Sequence, residues 1–257
     1  MGGALLQGCL ARGIVAADAV TVVEPAAAAR AAAAALGVRA VADASEAPEA
    51  APDLILVAVK PQVIEAVMPA YARFAGRTVF LSIAAGRTTQ SFERVLGEAA
   101  AVVRAMPNTP AQVGRGITAL YATARVDAAG RDLAAVLMGA VGDVVWLDDE
   151  AQMDAVTAVS GSGPAYVFHL IEALAAAARA EGLPDALADR LARATVTGAA
   201  ELAHRSPDPA GRLREQVTSS GGTTAAALEV LMAEGGLTDL MTRAVAAATR
   251  RSKELAG

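Results

Sequence analysis

Asp53-Leu54-Ile55-Leu56-Val57-Ala58-Val59 decides the fold, and Lys60-Pro61-Gln62 follow at its carboxyl end. After the aspartate the run is apolar throughout. A strand with one wet face alternates apolar and polar residues, whereas an unbroken apolar run suits a parallel strand covered on both faces. Upstream, Val20-Thr21-Val22-Val23 is β-branched and reads as a buried strand ending at Glu24-Pro25, and residues 38–41 read as a second short strand. Between them residues 26–36 are Ala-rich helix stopped by Gly37. Residues 3–12 read as a helix stopped by Gly13. Downstream come helix 62–73, strand 78–83 leading into Ala84-Ala85-Gly86, helix 88–97, and strand 101–106 leading into Pro107-Asn108-Thr109-Pro110. Strand 117–122, helix 127–140 and strand 144–147 complete the series. Short apolar strands alternating with helices predict an α/β, parallel, doubly wound sheet.

The pattern changes near residue 150. No strand follows Leu147, and helical segments fill roughly 151–180, 185–204, 223–233 and 236–254. We therefore expect a sheet domain over residues 1–150 and an all-helical domain over 151–257. The first helix of the second domain carries Tyr166, Phe168, Leu170, Ile171 and Leu174 around an Ala-rich body. A helix apolar nearly all round needs several neighbours or a partner chain. One bundle within a monomer would serve, but the breadth of the apolar surface favours an oligomer.

That helix is interrupted by Thr157-Ala158-Val159-Ser160-Gly161-Ser162-Gly163-Pro164-Ala165-Tyr166. Proline in a helix interior costs about 3 kcal/mol and each glycine about 1 kcal/mol. Pro164 has no N–H, so the Ser160 carbonyl loses its helical partner. The small residues leave a bare, kinked surface, which suits a flat ligand lying against backbone and suits tight helix packing equally well.

Composition narrows the function. Of the 257 residues 54% are hydrophobic and 19% charged, as in a folded globular protein. The net charge of −5 argues against a nucleic-acid footprint. Cys9 is the single cysteine, which excludes an internal disulfide and suits a reducing cytoplasm. With only His169 and His204 beside it, no zinc cluster is expected. No stretch reaches about 20 uncharged apolar residues, so no membrane span is expected.

In an open α/β sheet, ligands bind outside the carboxyl ends of the strands. Three loops there are unusual: Val59-Lys60-Pro61, Ala84-Ala85-Gly86 and Met106-Pro107-Asn108. Small residues and prolines let a ligand approach the backbone. Lys60 suits a phosphate or a ribose hydroxyl, and equally a plain surface position. A dinucleotide fold begins with a strand and a G-x-G-x-x-G turn. Here Met1-Gly2-Gly3-Ala4 already stands at the mouth of the first helix. Glu24 lies about 20 residues on, where an acidic residue accepts hydrogen bonds from a ribose 2′-OH.

These residues resemble the pyrroline-5-carboxylate reductase family over essentially the whole chain. Met1-Gly2-Gly3-Ala4 looks like the end of the family's G-x-G-N-M-G-x-A turn. Val59-Lys60-Pro61-Gln62, Ser82-Ile83-Ala84-Ala85-Gly86 and Arg104-Ala105-Met106-Pro107-Asn108-Thr109-Pro110 match its internal motifs. Residues 154–166 match its D-x-x-T-x-x-S-G-S-G-P-A-Y signature. Val217-Thr218-Ser219-Ser220-Gly221-Gly222-Thr223-Thr224 matches V-T-S-P-G-G-T-T with Ser220 in place of proline. The resemblance implies a Rossmann-like sheet whose first strand is missing here, followed by an all-α dimerisation domain. It implies NAD(P)H-dependent reduction of 1-pyrroline-5-carboxylate to proline, and a homodimer that assembles further into a decamer.

The resemblance also implies the site. Cofactor contacts fall on Met1, Gly2, Glu24, Ser45, Ala58, Val59, Lys60, Pro61, Ile83, Ala84, Ala85 and Asn108. Glu150 is expected to face the ring nitrogen, Thr157 the nicotinamide end, and Ser162, Ser219, Gly222, Thr223 and Thr224 the substrate; Glu150, Thr157 and Thr224 form the catalytic set. A Gly-rich helix entry offers free N–H groups to a carboxylate. Glu24 favours NADH, while Arg30, further along the helix, favours NADPH, so both cofactors are expected. The absent strand suggests that Met1 is internal to a longer reading frame. Two other classes stay open. One is an imine reductase or β-hydroxyacid dehydrogenase, although helix 151–180 lacks the lysine typical of the latter. The other is a non-catalytic paralogue.

Overall fold

The computed structural model describes residues 1–256. Helix α1 (Gly2–Ala11) ends at Gly13, which turns the chain with φ of 65°. Strand β1 (Thr21–Val23), helix α2 (Ala27–Ala34) and strand β2 (Arg39–Val41) follow. Strand β3 (Leu54–Val57) leads through the Pro61–Val63 turn into the short helix α3 (Ile64–Val67) and a tighter coil over Met68–Phe74. The expected helix 62–73 is thus broken. Pro69 cannot continue an α-helical ladder, and it falls where the chain tightens. Strand β4 (Val79–Ser82) and helix α4 (Thr89–Leu96) come next, with the Thr88 hydroxyl accepting from Ser91 N–H. Strand β5 (Ala101–Met106), strand β6 (Gly116–Ala122), helix α5 (Ala128–Gly139) and strand β7 (Gly142–Trp146) complete the sheet region.

The strands do not form one sheet. β1 and β2 pair in parallel as a two-stranded piece, and β3-β4-β5-β6-β7 form a five-stranded one. All pairs are parallel except β5 with β6, which is antiparallel. That pair corrects the all-parallel expectation. The chain between β5 and β6 is too short for a crossover helix, and parallel strands need a connection of about a dozen residues or more. β1 is half-buried along its length rather than buried, and Leu56 in β3 is 36% exposed. The interior belongs to β4 and β5, where Phe80, Leu81, Val102 and Val103 are fully covered. One core packs Leu5 and Cys9 of α1 with Leu81, Val103, Leu120 and Met138. A second packs Ile64, Met68, Phe80, Phe92 and Val102. The architecture is the expected Rossmann-like sheet with its helices.

Beyond β7 the junction passes through a turn at Glu150–Gln152, helix α6 (Met153–Val156) and a π-helical turn over Thr157–Gly161. Helices α7 (Gly163–Ala180), α8 (Asp185–Arg205), α9 (Ala210–Gln216), α10 (Thr223–Leu231) and α11 (Leu237–Ala256) follow. The compact units divide after Gly161, and the end of α11 from Thr249 belongs to the first unit. There Ser252 Oγ donates to Asp154 Oδ1 at 2.6 Å. In the second unit α7 and α8 are tied by Arg179, which pairs with Asp185 and Asp189. Only Ala175 of α7 is buried, while Val167, Phe168, Leu170 and Leu174 are exposed. Among the described residues no helix is long and apolar enough to cross a membrane.

Candidate active site

The carboxyl end of β3 meets the start of α1. A methyl on Gly2 would come within 2.9 Å of the Ala58 methyl, so glycine permits this approach. Met1 stands at the N-cap with no side-chain cap, and the first internal bond runs from Leu5 N–H to the Met1 carbonyl at 3.1 Å. The amides ahead of it keep their donor capacity, as helix starts do. Val59, Lys60 and Pro61 continue from Ala58, with the Lys60 side chain exposed. Arg87 ties this loop to the next: Nε donates to the Pro61 carbonyl at 3.1 Å and Nη1 to Glu65 at 2.9 Å. In that second loop, after β4, Ile83 leads into Ala84, whose N–H donates to the buried Ser82 hydroxyl, and then into exposed Ala85. Gly86 turns with φ of 72°, close under the Leu255 carbonyl. A dinucleotide pyrophosphate requires uncapped helix amides and small neighbouring side chains. Gly2, Gly3, Ala58, Ala84 and Ala85 meet that requirement.

At the carboxyl end of β1, in the two-stranded piece, stands Glu24. Its Oε1 accepts from Ala26 N–H at 2.8 Å, which orients the carboxylate at the start of α2. Arg30 Nη1 donates to the Glu24 and Pro25 carbonyls at 3.0 Å each. Ser45 is exposed after β2, with its N–H and hydroxyl both donating to Asp43. These bonds hold the Asp43 carboxyl below the usual carboxylate range.

The carboxyl end of β5 meets the π-helical turn. Asn108 Nδ2 donates to the Ser160 carbonyl at 3.1 Å, the acceptor that Pro164 leaves without its helical partner. Asn108 Oδ1 in turn accepts from Ile117 N–H at 3.0 Å. A methyl on Gly161 would lie 2.5 Å from the end of the Met106 side chain, so the glycine lets Met106 pack there. Thr157 and Ser160 direct their hydroxyls to the Met153 and Val156 carbonyls one turn back. Single π turns of this kind are frequent at functional sites. Asn108→Ala would orphan one donor and one acceptor, and we expect a loss of about 2 kcal/mol. A lower urea midpoint at unchanged slope is the measurement; an unmoved midpoint would mean that water replaces both bonds.

Glu150 has partners that the sequence reading did not give it. Its Oε1 accepts from Thr89 N–H at 2.9 Å and from Arg104 Nη1 at 2.9 Å, and its Oε2 accepts from Thr89 Oγ1 at 2.6 Å. The Arg104 side chain is 7% exposed and that of Glu150 21%. Both carboxylate oxygens are thus engaged by protein donors. Arg104 and Thr89 were missed. The signal for Arg104 was a lone charge inside the apolar strand Ala101-Val102-Val103-Arg104-Ala105-Met106.

In the second unit, Ser162 precedes α7, and its carbonyl accepts from Ala165 N–H at 3.0 Å. The loop before α10 turns at Gly221, with φ of 69°. Gly222 is the N-cap and no side chain caps the helix. Ser219 packs so tightly on Gly222 that a methyl there would lie 2.4 Å from Ser219 Oγ. Thr223 is exposed and Thr224 half-buried on the first turn of α10. Ser219, Gly222, Thr223 and Thr224 thus share one helix entry with uncapped amides. Ser220 is exposed beside them.

A mostly parallel sheet with uncapped helix amides and small-residue loops at its carboxyl edge, followed by a helical unit with a bare apolar face, is an architecture that suits a nicotinamide-dependent oxidoreductase. Residues 150–255 match the family model for pyrroline-5-carboxylate reductase dimerisation, and residues 1–86 match that for NADP oxidoreductase, coenzyme F420-dependent. The pyrroline-5-carboxylate reductase of Pseudomonas aeruginosa is 47% identical over 205 residues, covering 79% of this chain and 75% of that protein. A solved pyrroline-5-carboxylate reductase from Coxiella burnetii is 38% identical with a TM-score of 0.92, over 99% of this chain and 94% of that one. A Plasmodium falciparum pyrroline carboxylate reductase with NADP bound is 28% identical with a TM-score of 0.82, over 100% and 95%. The chain belongs to the pyrroline-5-carboxylate reductase family, and it is a homo-oligomer.

Proposed function

We propose that this chain reduces 1-pyrroline-5-carboxylate to proline, using NADPH or NADH. The observation that carries the reading is whole-chain likeness to the Coxiella burnetii reductase, with both the sheet unit and the helical unit matched. When bound, the nicotinamide supplies the hydride for the C=N bond. The protein holds the ligands. Met1, Gly2, Ala58, Val59, Lys60, Pro61, Ile83, Ala84 and Ala85 line the dinucleotide along the strand ends. Glu24 and Ser45 serve its adenosine end, with Arg30 beside Glu24 allowing either cofactor. Asn108 fixes the π-helical turn, whose bare residues from Thr157 receive the nicotinamide end. The α10 amides with Thr223, Thr224 and Ser219 bind the substrate carboxylate, since a helix start attracts an anion. Ser162 lies on the substrate side, and Thr224 directs its hydroxyl to the ring. Residues 150–255, which match the dimerisation model, form the dimer, dimers assemble into a decamer, and the protein works in the cytoplasm.

Loss of reduced nicotinamide absorbance in the presence of 1-pyrroline-5-carboxylate tests the reading. Wild-type protein turns over with both cofactors. Thr224→Val lowers kcat/KM about 100-fold, the usual effect of deleting one well-placed donor. Wild-type protein silent with both cofactors would overturn the proposal, and full activity in Thr224→Val would remove that hydroxyl from the site.

A further inference from the structure

Arg104, Thr89 and Glu150 bring together three segments that are distant in sequence. Arg104 lies in β5 two residues before Met106, and Glu150 is 46 residues away. Thr89 opens α4 just after the Ala84-Ala85-Gly86 loop, 61 residues from Glu150. Glu150 begins the turn that leads through α6 to Thr157. Thr89 and Arg104 are themselves buried, at 7% and 5% exposure. Each oxygen of the carboxylate is held, one by two donors and the other by a hydroxyl. Stability alone is a poor reason for such a cluster. A buried ion pair replaced by apolar side chains of similar volume is often neutral or more stable, because taking two charges out of water offsets their attraction. Such a cluster does fix geometry: a two-oxygen acceptor meeting three donors has one satisfactory arrangement.

We propose that Arg104, Thr89 and Glu150 are positioning residues for hydride transfer. They set the junction carrying Thr157 against the Ala84–Gly86 and Met106–Asn108 loops at the strand ends. None of the three touches substrate or cofactor in this assignment; each acts through the segment it anchors. The inference rests on the reductase reading above, and it adds a reason for a charge inside β5.

Misplacing a reacting group by about 1 Å costs on the order of 100-fold in rate. The experiment compares Thr89→Val, Thr89→Ser and Glu150→Asp with wild type in the full chain. Thr89→Val removes the Oγ1 donor at nearly constant volume, and Glu150→Asp keeps the charge but shortens its reach. Both are expected to lower kcat about 10- to 100-fold. The KM for NADPH, and its binding measured by quenching of the single Trp146, should stay within about twofold. Thr89→Ser, which restores the hydroxyl, should recover wild-type kcat. Should a single variant fail to fold, the Arg104→Met/Glu150→Leu pair removes both charges together, leaves none unpaired, and is expected to fold yet stay slow. Wild-type kcat in folded Thr89→Val and Glu150→Asp, or in the folded double variant, would overturn the positioning role while leaving the reductase intact. A wild-type protein inactive with both cofactors would instead remove the reductase reading, and the positioning role with it.

Discussion

Glutamate at both Leu170 and Leu174 will leave the protein as single chains. The two residues stand one helical turn apart on α7, so they share a face. In one chain they are 47% and 40% exposed, with Val167 at 45% beside them. A monomer has no reason to show so broad an apolar stripe; a helix of this kind is half of an interface. Covering a large aliphatic side chain contributes about 1.5–3 kcal/mol. In a two-fold interface each substitution occurs twice, so four apolar contributions are lost. Four carboxylates must also be desolvated, at several kcal/mol each. That sum exceeds what a typical interface has to spare. Sedimentation velocity should show the monomer mass, accompanied by loss of turnover. An unchanged oligomer would mean that this face of α7 lies outside the interface.

Much of this fold was legible because its information is local. β1 to β5 fall within the short apolar runs, since covered strands need such runs and little else, while β6 and β7 begin earlier than their runs, at Gly116 and Gly142. The break at residues 157–164 was legible too: Pro164 lacks an N–H, so one carbonyl had to be left over. Its new partner was not legible. Asn108 lies 52 residues away from Ser160, and nothing in either local sequence names the other. The Glu150 cluster was hidden in the same way. Direction was also hidden. β6 is as apolar as its neighbours, and only the short connection before it reveals that it runs against β5. Helix α9 was missed because Ala210-Gly211-Arg212-Leu213-Arg214-Glu215-Gln216 carries one large apolar residue and a glycine. The half-exposure of β1 and β3 has a different origin. Both sequences read as interior strands, yet β3 is an edge strand of the five-stranded piece and β1 belongs to the two-stranded one.

That division predicts uneven local stability. The amides of β1 and β2 should exchange with solvent at least about 100-fold faster than those of β4 and β5, a difference of about 3 kcal/mol in opening free energy. β4 and β5 are internal to a five-stranded sheet, their side chains include Phe80, Leu81, Val102 and Val103 at zero exposure, and two cores meet on them. Opening them requires dismantling the unit. β1 and β2 are three residues each and pair only with one another among the described residues. A lone two-stranded pair is marginal in water, and of its six residues only Val41 is buried. Glu24 and Ser45 follow these two strands directly, so the adenosine end of the proposed cofactor site rests on the less stable piece. Saturating NADPH should therefore slow exchange in β1 and β2 more than in β4 and β5, because ligand that binds only the closed form protects what opens most easily. Equal protection of all four strands without ligand would show that the two sheet pieces open as one unit.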